Sequence, residues 1–223
     1  YLKLFDDAYF SKNNLERLSW QSDLILKADM SSSVIGCRKC FGNLLEIFIK
    51  TDNFDGLFLK LVEVLEISGL EIIDANISTS SNKALAANTF ITKFSHHDRG
   101  LSKSEVKDLQ IKINNNFHNF STQKKKVHRK KKNIDTFNKN INITNIEEAS
   151  KKRNFLTIET SDSPGLLIKI AKVLHENGTS IYSARINTLG DRVEDTFEIE
   201  DMTLSSVSKN KIEKISNSLK ETI

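Results

Sequence analysis

The sequence repeats itself at a fixed interval of 109 residues, the spacing that separates Gly56 from Gly165. A shift of this length superimposes a glycine, an apolar helical stripe, a second glycine and an alternating strand pattern without a gap. The matching pairs are Gly56/Gly165, Leu57/Leu166, Lys60/Lys169, Val64/Val173, Leu65/Leu174, Gly69/Gly178, Ile72/Ile181, Ala75/Ala184, Ile77/Ile186 and Thr79/Thr188. Self-similarity at a fixed period is the signature of a duplicated structural unit. The chain therefore predicts two copies of one fold.

The first copy reads as strand, helix, strand, strand, helix, strand. Apolar residues at 57, 58, 61, 64 and 65 follow helical spacing, and those at 73, 75 and 77 alternate with polar residues as in a half-buried strand. Ser102 and Glu105 form a capping box before a second helix. Ile141, Ile143 and Ile146 predict the last strand. This βαββαβ order is that of a ferredoxin-like sandwich, an α+β fold with helices on an antiparallel sheet.

The repeat also sets the expected domain boundaries. We predict a helical segment over residues 1–42, a first domain over 43–148 and a second over 153–223. The second copy ends after a helix that carries Ile212, Ile215 and Leu219, so its fourth strand is either missing or supplied from elsewhere. Because the chain starts at Tyr1 rather than Met, we expect it to be a segment of a longer protein.

Composition excludes several classes of protein. Apolar residues make up 38% and charged residues 28% of the chain, which favours a packed core over disorder. No apolar run approaches the roughly 18 residues of a membrane span, and the first residues show no secretory pattern. Two cysteines are too few for a disulfide framework, so we expect a reducing, cytoplasmic setting.

The net charge of +4 comes from one local run. Residues 124–132 hold seven of the 33 Lys and Arg residues. The remaining 26 are outnumbered by the 29 acidic residues of the chain. Such a run can neutralise nucleic-acid phosphates, but it contains none of the aromatic residues that stack on bases. We interpret it as a solvated connection and do not expect nucleic-acid binding.

The turn between the first strand and first helix of the second copy carries the most chemistry. Proline suits the first position of a helix and serine the N-cap, so we predict Ser163 as N-cap and Pro164 as the first helical residue. Backbone N–H groups around Gly165 and Leu166 can hold an anion such as an α-carboxylate, and Asp162 can accept from an α-ammonium. The turn therefore suits a zwitterionic amino acid, and an ordinary capped helix start is the alternative.

The first copy has a related turn in which Asp55 replaces the proline. Phe54 takes the cap position there, so Asn53 or Asp52 must cap the helix. The residues that correspond to the second-copy turn are Asn53, Phe54, Asp55, Gly56 and Leu57.

Two asparagines on the second strands are further candidates. The side-chain amides of Asn76 and Asn187 can each donate to and accept from a ligand amide. A solvated strand face is the alternative interpretation of both.

Other motifs give no catalytic or metal site. His96, His97 and Asp98 lack the upstream His that an HD-type metal site needs, and Cys37 and Cys40 lack the second pair of a zinc site. We interpret these as a solvated loop and free thiols, and Trp20 as a core or interface residue. No nucleophile and base, phosphate loop or carboxylate pair is apparent, so we expect no catalytic residue and no metal in this chain.

The turn and its strands resemble a known regulatory module. Residues 162–186, from Asp-Ser-Pro-Gly-Leu-Leu to Ala-Arg-Ile, resemble an ACT domain, which often binds amino acids. Residues 188–197, Thr-Leu-Gly-Asp-Arg-Val-Glu-Asp-Thr-Phe, closely resemble the C-terminal ACT repeat of the bifunctional uridylyltransferase/uridylyl-removing enzymes of the PII nitrogen-signalling protein. Residues 55–58 and 73–75 resemble the first repeat of that family, and residues 9–10 and 16–20 resemble the segment before it. That family usually has a His where this chain has Gln21.

The resemblance implies a function beyond what the residues alone support. It implies two tandem ferredoxin-like ACT domains that bind glutamine, with contacts at 162–166 and at 53–57. The parent enzyme would use UTP and a metal such as Mg²⁺ to attach UMP to a tyrosine of PII, and would also hydrolyse that link. Its catalytic domains would lie upstream, and bound glutamine would shift the enzyme from adding UMP to removing it.

Two other functions fit parts of the sequence. One is a stand-alone amino-acid-binding regulator with two ACT domains. The other is a ferredoxin-like nucleic-acid-binding protein that uses residues 124–132.

Overall fold

The computed structural model describes residues 2–5, 7–11, 13–28, 33–94, 100–120, 141–148, 150, 152–203 and 205–223. A 3-10 turn at Leu2–Leu4 precedes the other elements. These are α1 (Asp7–Ser11), α2 (Leu15–Lys27), β1 (Val34–Lys39), β2 (Leu44–Asp52), α3 (Leu57–Ile67), β3 (Leu70–Thr79), β4 (Leu85–Phe94), α4 (Lys103–His118), β5 (Asn142–Glu148), β6 (Arg153–Ser161), α5 (Leu166–Glu176), β7 (Thr179–Leu189), β8 (Arg192–Asp201) and α6 (Lys209–Thr222). The histidine pair at 96–97, Asp98 and the basic run 124–132 lie outside the described residues.

One eight-stranded antiparallel sheet joins the two copies, in the order β1-β2-β4-β3-β7-β8-β6-β5. The first half, β1 to β4, carries α3 and α4, and the second half, β5 to β8, carries α5 and α6. Strands β2 and β6 begin and end 109 residues apart, as do the starts of α3 and α5. The predicted α+β fold of two ferredoxin-like units after a short helical segment is confirmed.

The outer strand of each half differs from the expectation. Ile143 and Ile146 lie on β5, as predicted, but β5 pairs with β6 of the second copy, with Ile143 opposite Ile158. The equivalent place beside β2 belongs to β1, which falls within the segment predicted to be helical. Each half is thus completed by the strand that precedes it, and β5 supplies the strand that the second copy lacked.

The reason lies in the length of the connections. β1 and β2 are separated by residues 40–43, and β5 and β6 by residues 149–152. Short connections favour antiparallel neighbours. The alternation of apolar residues indicates a strand but does not indicate which neighbouring strand it pairs with.

The core lies between the sheet and α3 to α6. Side chains alternate across a sheet, so Ile47 and Ile49 of β2 face these helices while Phe48 faces the opposite side. On that opposite side, α1 and α2 cover the first half, where Tyr9 and Ile25 pack with Phe48. Trp20 packs there too, its ring centroid 6.2 Å from that of Phe48, which confirms its predicted packing role.

The two halves meet at β3 and β7 across a local two-fold axis. Ala75 lies opposite Ile186 and Asn76 opposite Arg185 in this antiparallel pairing. Asn76 and Arg185 are also separated by the 109-residue interval, so the axis passes between them. The arrangement places the turn of each copy near the helix of the other.

Candidate functional site

Two cavities lie at the boundary between the copies, and each takes its walls from both. The first has a volume of about 740 Å³ and is called the acidic cavity below. Its lining is residues 162–168, Ile186, Thr188, Val193 and Asp195 of the second copy, with Val62, Glu66 and residues 70–72 of the first. The five second-copy turn residues from Asp162 to Leu166 that the sequence singled out all lie in this wall.

The second cavity, of about 490 Å³, is called the mixed cavity. Its lining is residues 53–59, Thr79 and Lys83 of the first copy, with Ala171, His175, residues 179–182, Glu200 and Met202 of the second. The five first-copy turn residues from Asn53 to Leu57 therefore lie in the corresponding wall.

The two turns have nearly the same backbone, which differs from the predicted helix starts. The N–H of Leu166 donates to the carbonyl of Ser163 at 3.0 Å, and Gly165 has φ 73° and ψ 15°. These values fit the third position of a type II turn, where glycine is favoured and proline precedes it. Helix α5 begins only at Leu166, with Gly165 as its N-cap. The prediction of Ser163 as N-cap and Pro164 as first helical residue is therefore wrong.

The first copy repeats this geometry without the proline. Leu57 donates to the carbonyl of Phe54 at 3.1 Å, and Gly56 has φ 78° and ψ 8° as the N-cap of α3. Asn53 does not cap this helix, because its side-chain amide donates to the carbonyl of Lys83 at 2.9 Å. The glycine, rather than a capping side chain, fixes the turn in both copies, since a positive φ is favourable for glycine.

The charged residues of the two cavities differ at aligned positions. The acidic cavity is lined by Glu66, Glu71, Asp162 and Asp195, with no Lys, Arg or His among its described lining residues. The 109-residue interval relates the first three to His175, Ser180 and Asn53, which line the mixed cavity. Asp195 corresponds to Asn88 by strand pairing. Asn88 lies opposite Ile49 and Asp195 lies opposite Ile158, and these two isoleucines are related by the 109-residue interval.

Asp195 is the most unusual of these residues, and the sequence analysis assigned it no role. It is only 1% exposed, and its Oδ1 accepts from the N–H of Asn187 at 3.3 Å. Burial raises the pKa of the Asp195 carboxyl to about 7; the Asn187 N–H opposes this rise, and Asp162 adds to it. A signal was present, because Asp195 interrupts the buried apolar series of Val193, Phe197 and Ile199.

In the mixed cavity, the ammonium of Lys83 is paired with the carboxylate of Glu200. The Lys83 ammonium lies 2.8 Å from a carboxylate oxygen of Glu200, and Arg153 lies 3.6 Å from the other oxygen. His175 Nδ1 lies 3.9 Å from Asp55 Oδ1. This cavity therefore combines acidic and basic side chains, whereas the charged residues that line the acidic cavity are all acidic.

The two candidate asparagines lie apart from the lining of either cavity. Ala75 and Ile77 face the helices, so Asn76 between them faces the opposite side of the sheet. The same alternation places Asn187, next to Ile186, on that opposite side. Their role as ligand contacts stays a prediction.

The two cysteines are placed unfavourably for thiol chemistry. Cys37 and Cys40 are free thiols, and burial raises the pKa of Cys37 to about 12, which disfavours the reactive thiolate. Within the described ranges, no group of three or more His, Cys, Asp or Glu side chains is placed to hold a metal ion. Nor does any helix in the part of the chain that the structure describes have the length and apolarity to span a membrane.

Comparison with known proteins finds relatives that share one name. No protein-family model matches the chain. It is 27% identical over 225 residues to the bifunctional uridylyltransferase/uridylyl-removing enzyme of Psychrobacter sp. (strain PRwf-1), covering 96% of this chain and 25% of the relative. The enzyme of the same name from Acinetobacter baumannii (strain AYE) is 28% identical over 228 residues, 97% of this chain and 25% of the relative. That of Vibrio campbellii is 24% identical over 195 residues, 86% of this chain and 22% of the relative.

Among solved structures, aspartate kinase from Synechocystis matches with a TM-score of 0.42 and 14% identity, covering 79% of this chain and 26% of that chain. The chain spans about a quarter of the length of the curated relatives it matches. Over nearly its whole length, it is similar to a region of the bifunctional uridylyltransferase/uridylyl-removing enzymes, as its motifs indicate.

Proposed function

We propose that this chain is the glutamine-sensing regulatory region of an enzyme that uridylylates and deuridylylates the PII signal protein. The observation that carries the proposal is that each cavity combines the turn of one copy with the helix and strand of the other. A ligand bound there contacts both copies at once, so its affinity depends on how the copies are arranged. Such differential affinity is what a sensor needs, and a coupling of about 1–3 kcal/mol is typical.

The acidic cavity is the primary glutamine site in this proposal. The N–H groups of Leu167 and Ile168, in the first turn of α5 beside Gly165, form an anion site for the α-carboxylate, because the N–H of Leu166 is already used within the turn. Asp162, in the same wall, accepts from the α-ammonium. The corresponding turn from Asn53 to Leu57 provides a second, weaker site in the mixed cavity.

The rest of the proposed enzyme lies outside this chain. Its catalytic domains transfer UMP from UTP to PII with a metal such as Mg²⁺, and hydrolyse the product, in the cytoplasm. The described residues hold no metal-ligand cluster, so we assign the metal to those domains. The partners of this region are then glutamine, the upstream catalytic domains and, through them, PII.

Calorimetric titration with glutamine tests the proposal. We expect glutamine to bind, and glutamate and glycine to bind at least about tenfold more weakly, a difference of about 1.4 kcal/mol. Absence of glutamine binding to the folded chain would contradict the proposed function. Equal affinity for all three amino acids would contradict glutamine as the specific signal.

A pair of substitutions at Gly165 tests the site. Asp and Asn both tolerate a positive φ better than most residues, so Gly165→Asp and Gly165→Asn should both fold. The aspartate also places a negative charge at the anion site, and we expect it to weaken glutamine binding about a hundredfold. Gly165→Asn is the neutral control of similar shape, and circular dichroism checks the fold of both. Unchanged affinity in Gly165→Asp would exclude this turn from the site.

A further inference from the structure

The four carboxyl groups of the acidic cavity are a difference between the copies and not a property of the fold. Glu66, Glu71 and Asp162 have His175, Ser180 and Asn53 as their counterparts in the mixed cavity. Both cavities keep the same turn backbone, with a glycine at positive φ before the helix. The framework for holding a carboxylate is thus common to both copies, while the acidic groups are confined to one.

Asp195 is the most buried carboxyl group of this set, so its ionised form would gain most from a neighbouring cation. It is 1% exposed yet lines the cavity, and no ion pair to it is formed within the described part of the chain. Its hydrogen bond from the Asn187 N–H leaves capacity for further donors, because a carboxylate has two accepting oxygens. A buried carboxylate without a cation is costly, and a ligand ammonium would remove that cost.

A second polar group in the same wall also lacks a partner. The Oγ of Ser163 is buried without a hydrogen-bond partner among the described residues. Buried polar atoms in folded proteins are nearly always hydrogen-bonded. The wall therefore offers both a carboxylate and a hydroxyl to a ligand that fills the cavity.

We infer that Asp195 is the counter-ion for the ammonium group of the ligand, so that the acidic cavity accepts only ligands that carry an amine. This inference rests on the proposed amino-acid-binding function and adds its recognition element. The ligand carboxylate lies at the turn of Gly165, and its ammonium lies at Asp195, which acts together with Asp162. The mixed cavity lacks this preference, because the strand position that corresponds to Asp195 holds Asn88, which is neutral and lies outside the lining of that cavity.

Ligand binding is then linked to a proton. Burial raises the pKa of Asp195 to about 7, whereas the α-ammonium of a free amino acid stays mostly protonated up to about pH 8 because its own carboxylate favours the charged form. The other charged groups lining the cavity are Asp162 on the turn, Glu66 on α3 and Glu71 on β3, all acidic. Because only the ionised carboxyl attracts the ammonium strongly, affinity should fall about tenfold from pH 8 to pH 6.

The experiment is a calorimetric titration with three probes at pH 6 and pH 8. The probes are glutamine, lysine and glutaramic acid, which is glutamine without its amino group. The variants are Asp195→Asn, which copies the Asn88 of the first copy, and the control Glu194→Gln. Glu194 is exposed on the opposite face of the same strand, so the control removes one charge without touching the cavity.

We expect Asp195→Asn to weaken amine binding about 10–100-fold at pH 8 and to abolish the pH dependence. Glu194→Gln should change neither, and glutaramic acid should not bind. If glutamine binds Asp195→Asn as tightly as the unchanged chain, or if glutaramic acid matches glutamine, the inference is overturned while the proposed function stands. If lysine binds through Asp195 and glutamine does not, the inference stands and the glutamine proposal falls. Failure of both amines to bind would overturn both.

Discussion

The acidic and mixed cavities have the same backbone framework but differ in the charges that line them. Their turns agree within a few degrees in the φ of Gly56 and Gly165, and each lies across the two-fold axis from the other. Their side chains differ where charge matters: the charged residues that line one cavity are all acidic, whereas the other cavity pairs Lys83 with Glu200. The two copies thus share the backbone of the turn and differ in the charged side chains beside it.

The largest expected effect comes from making the acidic cavity resemble the mixed one. The double variant Asp162→Asn and Asp195→Asn installs the residues of the first copy at both positions. Loss of two charged acceptors should weaken glutamine binding by at least about a hundredfold at pH 8, as calorimetry would show. Affinity within about threefold of the unchanged chain would mean that these charges do not distinguish the cavities.

Stability against pH gives the next largest effect. The pKa of Asp195 is raised in the folded state, so the folded chain binds more protons than the unfolded chain between about pH 4 and 7, and its free energy of unfolding falls as pH rises through that range. Asp195→Asn removes this loss of stability. Between pH 5 and pH 8, the free energy of unfolding of the variant should therefore rise by about 2 kcal/mol relative to that of the unchanged chain. Urea unfolding at the two pH values measures this difference. Parallel stability changes in both proteins would show that Asp195 ionises normally.

The turn glycine of the first copy, Gly56, should tolerate a side chain poorly. A Cβ at Gly56 would lie 3.0 Å from Cε1 of His175, in addition to the strain of its φ of 78°. Gly56→Ala should therefore lower the free energy of unfolding by about 1–3 kcal/mol. The double variant Gly56→Ala with His175→Ala separates the two causes, because it relieves the contact and leaves the φ strain. If the double variant loses as much free energy of unfolding as the two single variants lose in sum, the contact is excluded as a cause.

The smallest effect concerns the paired charges of the mixed cavity. Lys83→Gln removes one partner of Glu200 but leaves Arg153, so the free energy of unfolding should fall by only about 0.5–1 kcal/mol. Lys172→Gln is the control, because its pair with Glu176 is largely exposed and its loss should cost a few tenths of a kcal/mol. A loss above about 3 kcal/mol for Lys83→Gln would mean that Arg153 does not compensate Glu200.

Features set by local sequence were predictable. The 109-residue interval anticipates the matched bounds of β2 and β6, and the capping box of Ser102 and Glu105 forms as expected. The turns at 53–57 and 162–166 were singled out because glycine and proline carry strong local preferences. Their backbone was nevertheless assigned wrongly, since Pro164 suits both a helix start and the second position of a type II turn.

Features set by contacts between distant residues were not predictable from patterns. The partner of β5 depends on chain connection as well as alternation, and β1 is a short strand with Gly36 at its centre. The roles of Glu66 and His175 depend on a cavity that forms only when the copies pair. Asp195 was visible as a carboxyl in an apolar series, but its environment depends on both copies.

The most direct test is a titration of the isotope-labelled chain with glutamine at pH 8, followed by backbone amide NMR. The account predicts the largest shift changes at residues 165–168 and 193–196, with smaller changes at 56–59 and loss of the response in Asp195→Asn. Changes centred on 56–59 and unaffected by Asp195→Asn would contradict the assignment of the acidic cavity as the amino-acid site.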